Sequence, residues 1–106
     1  MGGVAQQEDM TGAVTIGAND PAVGAPVYLE AYDETTRKRV VELRSTRTDV
    51  RGKYRFDGLV PGTYRVVSTF EYNAPATADI DTMRPKAIKL EEGREAQEDL
   101  EVFVIR

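Results

Sequence analysis

The feature that most constrains the fold is a succession of short runs in which apolar and polar residues alternate. Clusters of turn-forming residues, such as Gly17 to Pro21 and Asp33 to Thr36, separate the runs. A period of two is the pattern of half-buried strands, and no stretch has the i, i+3, i+4, i+7 apolar spacing of an amphipathic helix. Turn signals every ~8–12 residues are typical of a sandwich of short strands. We therefore predict an all-β fold, a seven-stranded antiparallel β-sandwich, with strands in residues 12–16, 26–32, 40–48, 53–56, 63–72, 86–90 and 99–105.

Composition limits the chemistry that such a sandwich can perform. The chain has 106 residues, a formal net charge of −4, no cysteine and no histidine. These absences exclude disulfides, thiolate metal sites, Ser-His-Asp triads and histidine-ligated zinc or iron. The mild acidity argues against a nucleic-acid binder, and no apolar run is long enough to span a membrane. We predict no catalytic residues, no metal and no cofactor.

The chain divides into a lead-in and one domain. Residues 1–10 are small and polar, and they predict a flexible N-terminal lead-in. Residues 11–106 are enough for one hydrophobic core. Residues 73–85 form the longest irregular segment and are predicted to be a loop, and residues 91–98 are predicted to be a hairpin loop.

A motif in the middle of the chain carries a family resemblance. Residues 48–66 read TDVRGKYRFDGLVPGTYRV, which resembles the T-D-x-x-G-x-Y-x-F-x-x-L-x-P-G-x-Y-x-V core of the carboxypeptidase regulatory-like domain. That family belongs to the transthyretin-like (prealbumin-like) sandwiches, related to Cna B-type domains, and the resemblance extends over roughly residues 11 to 105. It implies a transthyretin-like Greek-key sandwich that serves as an accessory module in secreted or cell-envelope proteins.

Each motif position also has a physical role that needs no family knowledge. An aspartate can accept hydrogen bonds from its own turn, glycine supplies a positive φ, and proline presets φ. A tyrosine after such a turn can place its ring in the core and its hydroxyl on an upstream carbonyl. We therefore assign seven residues to structure rather than to binding: Asp49, Gly52, Tyr54, Phe56, Pro61, Gly62 and Tyr64.

Active relatives within this superfold depend on residues that the chain lacks. The hydroxyisourate hydrolases and intradiol dioxygenases use histidines, so neither activity is expected. Cna B-type relatives can join a lysine of the first strand to an asparagine of the last. Here the predicted first strand has no lysine, and Asn19 and Asn73 lie in predicted loops. We expect no internal isopeptide bond.

Surface aromatics suggest two kinds of partner. Tyr28 and Tyr32 are predicted on the solvent face of their strand, and Phe103 is out of phase with the inner face of its own. A strip of exposed aromatics can pack against a protein partner, and we expect this partner to be a neighbouring domain or a second copy of the chain. It can also stack sugar rings, so the alternative is a carbohydrate-binding module.

Charged segments and a loop leave further alternatives open. Residues 37–51 are rich in arginine and lysine, and residues 91–101 are rich in glutamate and aspartate. They predict either solvated strand faces or electrostatic contact with a protein partner. Asp79 and Asp81 in the 73–85 loop could supply carboxylate ligands, so calcium binding by this loop is a further alternative. The expected function is a non-catalytic structural spacer or protein-interaction module, placed outside the cell or in the cell envelope by the resemblance alone.

Overall fold

Strands make up most of the computed structural model, which describes residues 8–17 and 19–105. In this part of the chain there is one short helix, α1 (Thr77–Asp81). The strands are β1 (Glu8–Ile16), β2 (Asp20–Pro21), β3 (Pro26–Asp33), β4 (Lys38–Arg39), β5 (Arg44–Arg47), β6 (Lys53–Leu59), β7 (Gly62–Thr69), β8 (Lys86–Leu90), β9 (Ala96–Gln97) and β10 (Leu100–Phe103). The predicted β-sandwich is confirmed, with ten strands in the described residues instead of the seven expected.

Two layers pack on one another. One layer pairs β1 with β6 and with the short strands β2 and β9. In the other layer, β3 lies between β5 and β7. The short strand β4 pairs antiparallel with the last residues of β3, and β8 pairs with β7. β10 pairs with β1 at Val14↔Leu100 and with β7 at Val102↔Ser68, so it joins the two layers.

Not all of the pairing is antiparallel. β9 and β10 both run parallel to β1, and β10 runs parallel to β7. The reason is topological, because β8 runs antiparallel to β7 and the 91–95 turn then reverses the chain beside β1. Gly12 permits this close pairing, since a Cβ at this position would lie 1.8 Å from the Glu98 carbonyl oxygen.

The hydrophobic core lies between the layers. Met10 and Val14 of β1, Phe56 of β6 and Leu29 and Val66 of the other layer are almost fully buried. β6 alternates buried and exposed positions, as expected for a strand with one solvent face. In contrast, β7 is buried without interruption from Tyr64 to Thr69, which shows that its layer is covered on both faces.

Several sequence predictions differ from the structure at element ends. β1 begins at Glu8, inside the predicted lead-in, and residues 1–7 lie outside the described residues. The predicted strand over residues 40–48 is divided, because residues 40–43 are irregular between β4 and β5. The alternation predicts that Phe70 and Val104 face inward, but they follow the ends of β7 and β10 and are about half exposed (56% and 48%). The predicted 73–85 loop contains α1, and the predicted 91–98 hairpin loop contains β9.

Candidate functional site

The motif residues build a turn and the core beside it. The Asp49 carboxylate accepts hydrogen bonds from the backbone N–H of Arg51 (2.8 Å) and of Lys53 (2.9 Å). These backbone hydrogen bonds lower the pKa of Asp49. Gly52 has φ of +76°, and a Cβ there would lie 2.7 Å from the Val14 carbonyl oxygen. The turn thus needs glycine both for its backbone conformation and for the close approach of β1.

The aromatic residues of the motif are buried in the core, and both tyrosine hydroxyls donate hydrogen bonds to backbone carbonyls. Tyr54 and Phe56 are buried in an edge-to-face contact with ring centroids 6.0 Å apart. The Tyr54 hydroxyl donates to the Glu98 carbonyl (2.7 Å), and burial raises the pKa of Tyr54, with Glu98 and Asp99 adding to the effect. The Tyr64 hydroxyl donates to the Val60 carbonyl (2.6 Å), four residues upstream, as the sequence suggested.

Pro61 and Gly62 lie where the sequence placed them, between β6 and β7. Pro61 separates the two strands, and Gly62 is the first residue of β7, paired with Leu90. Both residues are exposed and form the connection between the two strands.

The predicted exposed aromatic strip is wrong at Tyr28. This residue does point away from the main core, but its side chain is buried against Val67, Ile80 and Met83. Its hydroxyl donates to the Tyr72 carbonyl (3.0 Å). The physical reason is that α1 and its flanking residues lie over the outer face of β3 and β7 and form a second hydrophobic cluster there.

The other two surface candidates are also partly covered. Phe103 is half-buried and packs against the same second cluster. The Tyr32 ring lies under the Arg65 guanidinium, whose carbon is 3.9 Å from the ring centroid, a cation–π contact. Tyr28, Tyr32 and Phe103 therefore do not form a free stacking platform for sugar rings.

A buried ion network, which the alternating residue pattern does not predict, lies beside that cluster. Glu30 of β3 is 0% exposed, and its carboxylate binds Arg39 (Nε–Oε2 3.0 Å) and Arg65 (NH2–Oε1 2.6 Å). The Thr77 hydroxyl of α1 donates to the same carboxylate (2.6 Å). The Arg65 guanidinium also binds Asp81 at 2.5 Å. Burial by itself lowers the pKa of Arg65, but the hydrogen bonds to Asp81 and Glu30 outweigh it and leave the pKa raised.

This network attaches the α1 segment to the sheet. Arg39 also donates to the Pro75 carbonyl (2.7 Å), just before the helix, and Arg65 donates to the carbonyl of Thr77 (3.3 Å), the first helical residue. Part of this network could have been expected from the sequence. A glutamate that lies between two tyrosines on the outward face of a strand needs a counter-charge if that face is covered. The cover itself was indicated by Ile80 and Met83, three residues apart in the segment read as a loop.

The two loop aspartates serve the fold separately. Asp79 accepts a hydrogen bond from the Ala76 backbone N–H (3.1 Å) at the helix start, and Asp81 pairs with Arg65. Among the described residues, no three acidic side chains come together in a way that could hold a metal ion. Helix α1 has five residues, and no helix in the described chain is long and apolar enough to cross a bilayer.

The charged segments are only partly free for partners. In the basic segment, Arg47 donates to the Gly24 carbonyl (3.0 Å) and Arg44 to the Asp57 carbonyl (2.9 Å), and Arg44 also lies over the Phe56 ring. In the acidic segment, Asp99 accepts from the Ala13 backbone N–H (3.0 Å). Of the other charges in these segments, Arg39 binds Glu30, Lys38 lies on β4, and Glu101 is exposed on β10.

One cleft of about 230 Å³ opens beside the second cluster. Polar side chains of β5 and of residue 73 surround it, with Tyr28 and Leu43 among its apolar walls. Asn73 and Arg47 both line this cleft and no lysine does, so the cleft does not bring together the pair that an internal isopeptide bond requires.

Two layers, a tyrosine corner and a last strand that joins the layers define a transthyretin-like β-sandwich, without a convergent set of catalytic groups in the part of the chain described. The chain belongs to the carboxypeptidase regulatory-like domain family, whose sequence profile matches residues 9–102. A search of curated protein sequences finds no matching relative.

Solved structures with the same fold include two major pilins. The major pilin subunit BcpA of Bacillus cereus is 17% identical with a TM-score of 0.61, and the match covers 91% of this chain and 29% of the pilin. The major pilin SpaD of Corynebacterium diphtheriae is 14% identical with a TM-score of 0.60, covering 92% and 30%. A dioxygenase domain from Streptomyces sp. SirexAA-E is 13% identical with a TM-score of 0.56, covering 96% and 82%. These likenesses show the fold, and the chain spans about a third of the length of the pilins.

Proposed function

We propose that the chain is a non-catalytic structural spacer domain of a secreted or cell-envelope protein, with the module beginning at β1. The observation that carries the proposal is the path of the chain through the sandwich. β1 enters at one end, which we call the entry end, and β10 leaves at the other, the exit end. β1 has nine residues, which at ~3.3 Å per residue is about 30 Å of strand, so a module with this path holds a segment attached before β1 apart from a segment attached after β10.

The pairing of the first and last strands supports a mechanical role. β1 runs parallel to β9 at Met10↔Ala96 and to β10 at Val14↔Leu100. Between these pairs, the Glu98 backbone N–H donates to the Thr11 carbonyl (2.9 Å). Tension between the two chain ends pulls parallel strands in opposite directions along their length. This loads the inter-strand hydrogen bonds together in shear, whereas pulling from one end breaks them one after another.

Single-molecule force measurement tests the proposal. The chain has no cysteine, so one introduced cysteine is a unique attachment point. Pulling between the N-terminus and Ile105→Cys applies shear to β1 against β9 and β10. Pulling between the N-terminus and Glu92→Cys, in the exposed turn before β9, peels the same strands apart from the entry end.

We expect a clearly higher unfolding force in the shear geometry than in the peeling geometry. Both attachment variants should have the thermal stability of the parent chain, because both positions are exposed. Equal forces in the two geometries would show that the terminal strands bear no special load. That result would remove the basis for the spacer proposal.

A further inference from the structure

Two strained backbone positions bound the segment that covers the outer face of β3 and β7. We call this segment, residues 75–83, the strap, and it contains α1. Ala74 before it and Arg84 after it have φ of +51° and +52°, a left-handed conformation that residues with a Cβ rarely adopt. Each also precedes a proline, Pro75 or Pro85, and a residue in that position favours an extended backbone. The closed strap therefore holds both of its ends in conformations that the free chain disfavours.

Side chains attach the strap to the sheet. Two apolar side chains of the strap, Ile80 and Met83, pack in the second hydrophobic cluster on the outer face. Thr77 and Asp81 connect the strap to the buried ion network. The two arginines of that network also donate to carbonyls of the strap. On the sheet, all of these contacts are made by side chains.

The backbone hydrogen bonds of the strap are internal. The Ile80 N–H donates to the Ala76 carbonyl (3.0 Å), and the Met83 N–H donates to the Ile80 carbonyl (2.9 Å). Among the described residues, no backbone hydrogen bond joins the strap to a strand. A helix of five residues is not stable on its own, so α1 depends on the side-chain contacts with the sheet. Loss of those contacts frees the strap without breaking any strand pairing.

The two faces of β7 distinguish opening of the strap from unfolding of the domain. Val67 belongs to the second cluster under the strap, whereas its neighbour Val66 belongs to the main core. Both side chains are almost fully buried, with exposed fractions of 4% and 0%. β7 remains paired with β3 through Tyr28↔Val67 and Leu29↔Val66 whether or not the strap lies over it. Opening of the strap therefore uncovers Val67 and leaves Val66 buried.

We propose that the strap opens as a unit about Ala74 and Arg84 while the two layers of the sandwich stay folded. Release of the two left-handed residues favours the open form, and the second cluster and the ion network favour the closed form. Opening exposes Tyr28 and Val67 on the outer face of β3 and β7, so the strap is a conformational switch for that face. The switch is independent of the spacer role, because the strap takes no part in the pairing of β1 with β9 and β10.

Cysteine labelling under native conditions tests the proposal. The chain has no cysteine, so Val67→Cys places the only thiol under the strap, and the matched control Val66→Cys places the only thiol in the core. We expect Val67→Cys to react with a thiol reagent at least about tenfold faster than Val66→Cys, because local opening costs less than global unfolding. Labelling of Val67→Cys should also depend only weakly on urea, since opening exposes little surface, whereas labelling of Val66→Cys should follow the urea dependence of unfolding. Equal rates and equal urea dependence at the two positions would overturn the proposal, because the strap would then open only with the whole domain.

A pair of threonine variants tests what holds the strap closed. Thr77→Val removes a hydroxyl that donates to the buried Glu30 carboxylate, and the matched control Thr82→Val removes an exposed hydroxyl that donates to a carbonyl within the strap. In the Val67→Cys chain, the first change should speed labelling at least about tenfold and the second by less than about threefold. Equal effects of the two changes would contradict the role of the ion network as the closing contact.

A glycine variant tests the strain at one end of the strap. Glycine adopts a positive φ without the steric cost of a Cβ, so Ala74→Gly should stabilise the closed form. In the Val67→Cys chain, this change should slow labelling by roughly threefold. Labelling that is as fast as before, or faster, would refute the assignment of Ala74 as a hinge.

Hydrogen exchange of the unsubstituted chain makes the same comparison if a cysteine variant does not fold. The Met83 N–H reports on the strap, and the Val14 N–H, which donates to the Gly52 carbonyl (2.7 Å), reports on the core. After correction for intrinsic rates, the Met83 N–H should exchange at least about tenfold faster than the Val14 N–H. Equal exchange of the two groups would show that strap and core open together, against the proposal.

Discussion

Removal of the Glu30 carboxylate is the most informative perturbation of this domain. The group is fully buried and binds two arginines whose side chains are 24% (Arg39) and 9% (Arg65) exposed, and it also accepts a hydrogen bond from Thr77. Glu30→Ala leaves Arg39 without a carboxylate partner and leaves Arg65 with Asp81 alone, in a site that water reaches poorly. Breaking a buried ion pair in this way costs about 3–5 kcal/mol. Domains of this size have a total unfolding free energy of about 5–15 kcal/mol, so the loss is a large share of it.

Urea unfolding at neutral pH, followed by far-UV circular dichroism, measures the effect. The matched control is Asp9→Ala, which breaks the pair between Asp9 and Arg55 (2.5 Å), where the side chains are 28% and 56% exposed. Solvent screens that pair, so the control should change the unfolding free energy by only about 0–1 kcal/mol. The slope of free energy against urea should stay the same in both variants if the native state keeps its compactness.

A second variant separates the loss of the network from unpaired charge. Replacing Glu30, Arg39 and Arg65 together by leucine and methionines removes the three charges of the buried site. The only carboxylate that loses its arginine is Asp81, whose side chain is 54% exposed and stays hydrated. We expect this triple variant to be more stable than Glu30→Ala, as is found when buried ion pairs are replaced by packed apolar groups. The reasoning is refuted if Glu30→Ala costs less than about 1 kcal/mol, no more than the exposed control.

Three further predictions concern the covered face, the turn and the core. Tyr28→Ala should lower the unfolding free energy by about 3–5 kcal/mol and Tyr28→Phe by about 1 kcal/mol in urea unfolding, whereas an exposed tyrosine would tolerate both changes. Gly52→Ala should lower the melting temperature much more than Gly93→Ala does. Both glycines have positive φ, but only at Gly52 would the added Cβ lie within 3 Å of another backbone atom; equal shifts would contradict the steric argument. Because burial raises the pKa of Tyr54 above its unfolded value near 10, the stability that its neutral form contributes is fully present below pH 10 and is lost as the pH rises further. Ultraviolet titration of the parent chain compared with Tyr54→Phe should show that Tyr54 ionises only with alkaline unfolding; a Tyr54 that titrates near pH 10 in the folded protein would contradict the effect of burial.

The residue pattern by itself determined the local parts of this protein. Alternation with a period of two identified the principal strands, and β8 has the predicted bounds. The Asp49–Gly52 turn and the Tyr64 hydroxyl bond to Val60 could be predicted because each depends on residues within four positions of one another. Such short-range geometry can be predicted from the local sequence, since backbone sterics and hydrogen bonds between nearby residues determine it.

Tertiary structure alone decided what covers each face. Period-two alternation says that Tyr28 and Glu30 point to one side of β3, but their burial depends on Thr77 and Ile80, about fifty residues along the chain. The parallel course of β10 beside β1 and β7 likewise results from strands brought together by the fold. A residue's exposure is a property of its neighbours in space, and contacts between distant segments leave little trace in the local pattern that a single sequence offers.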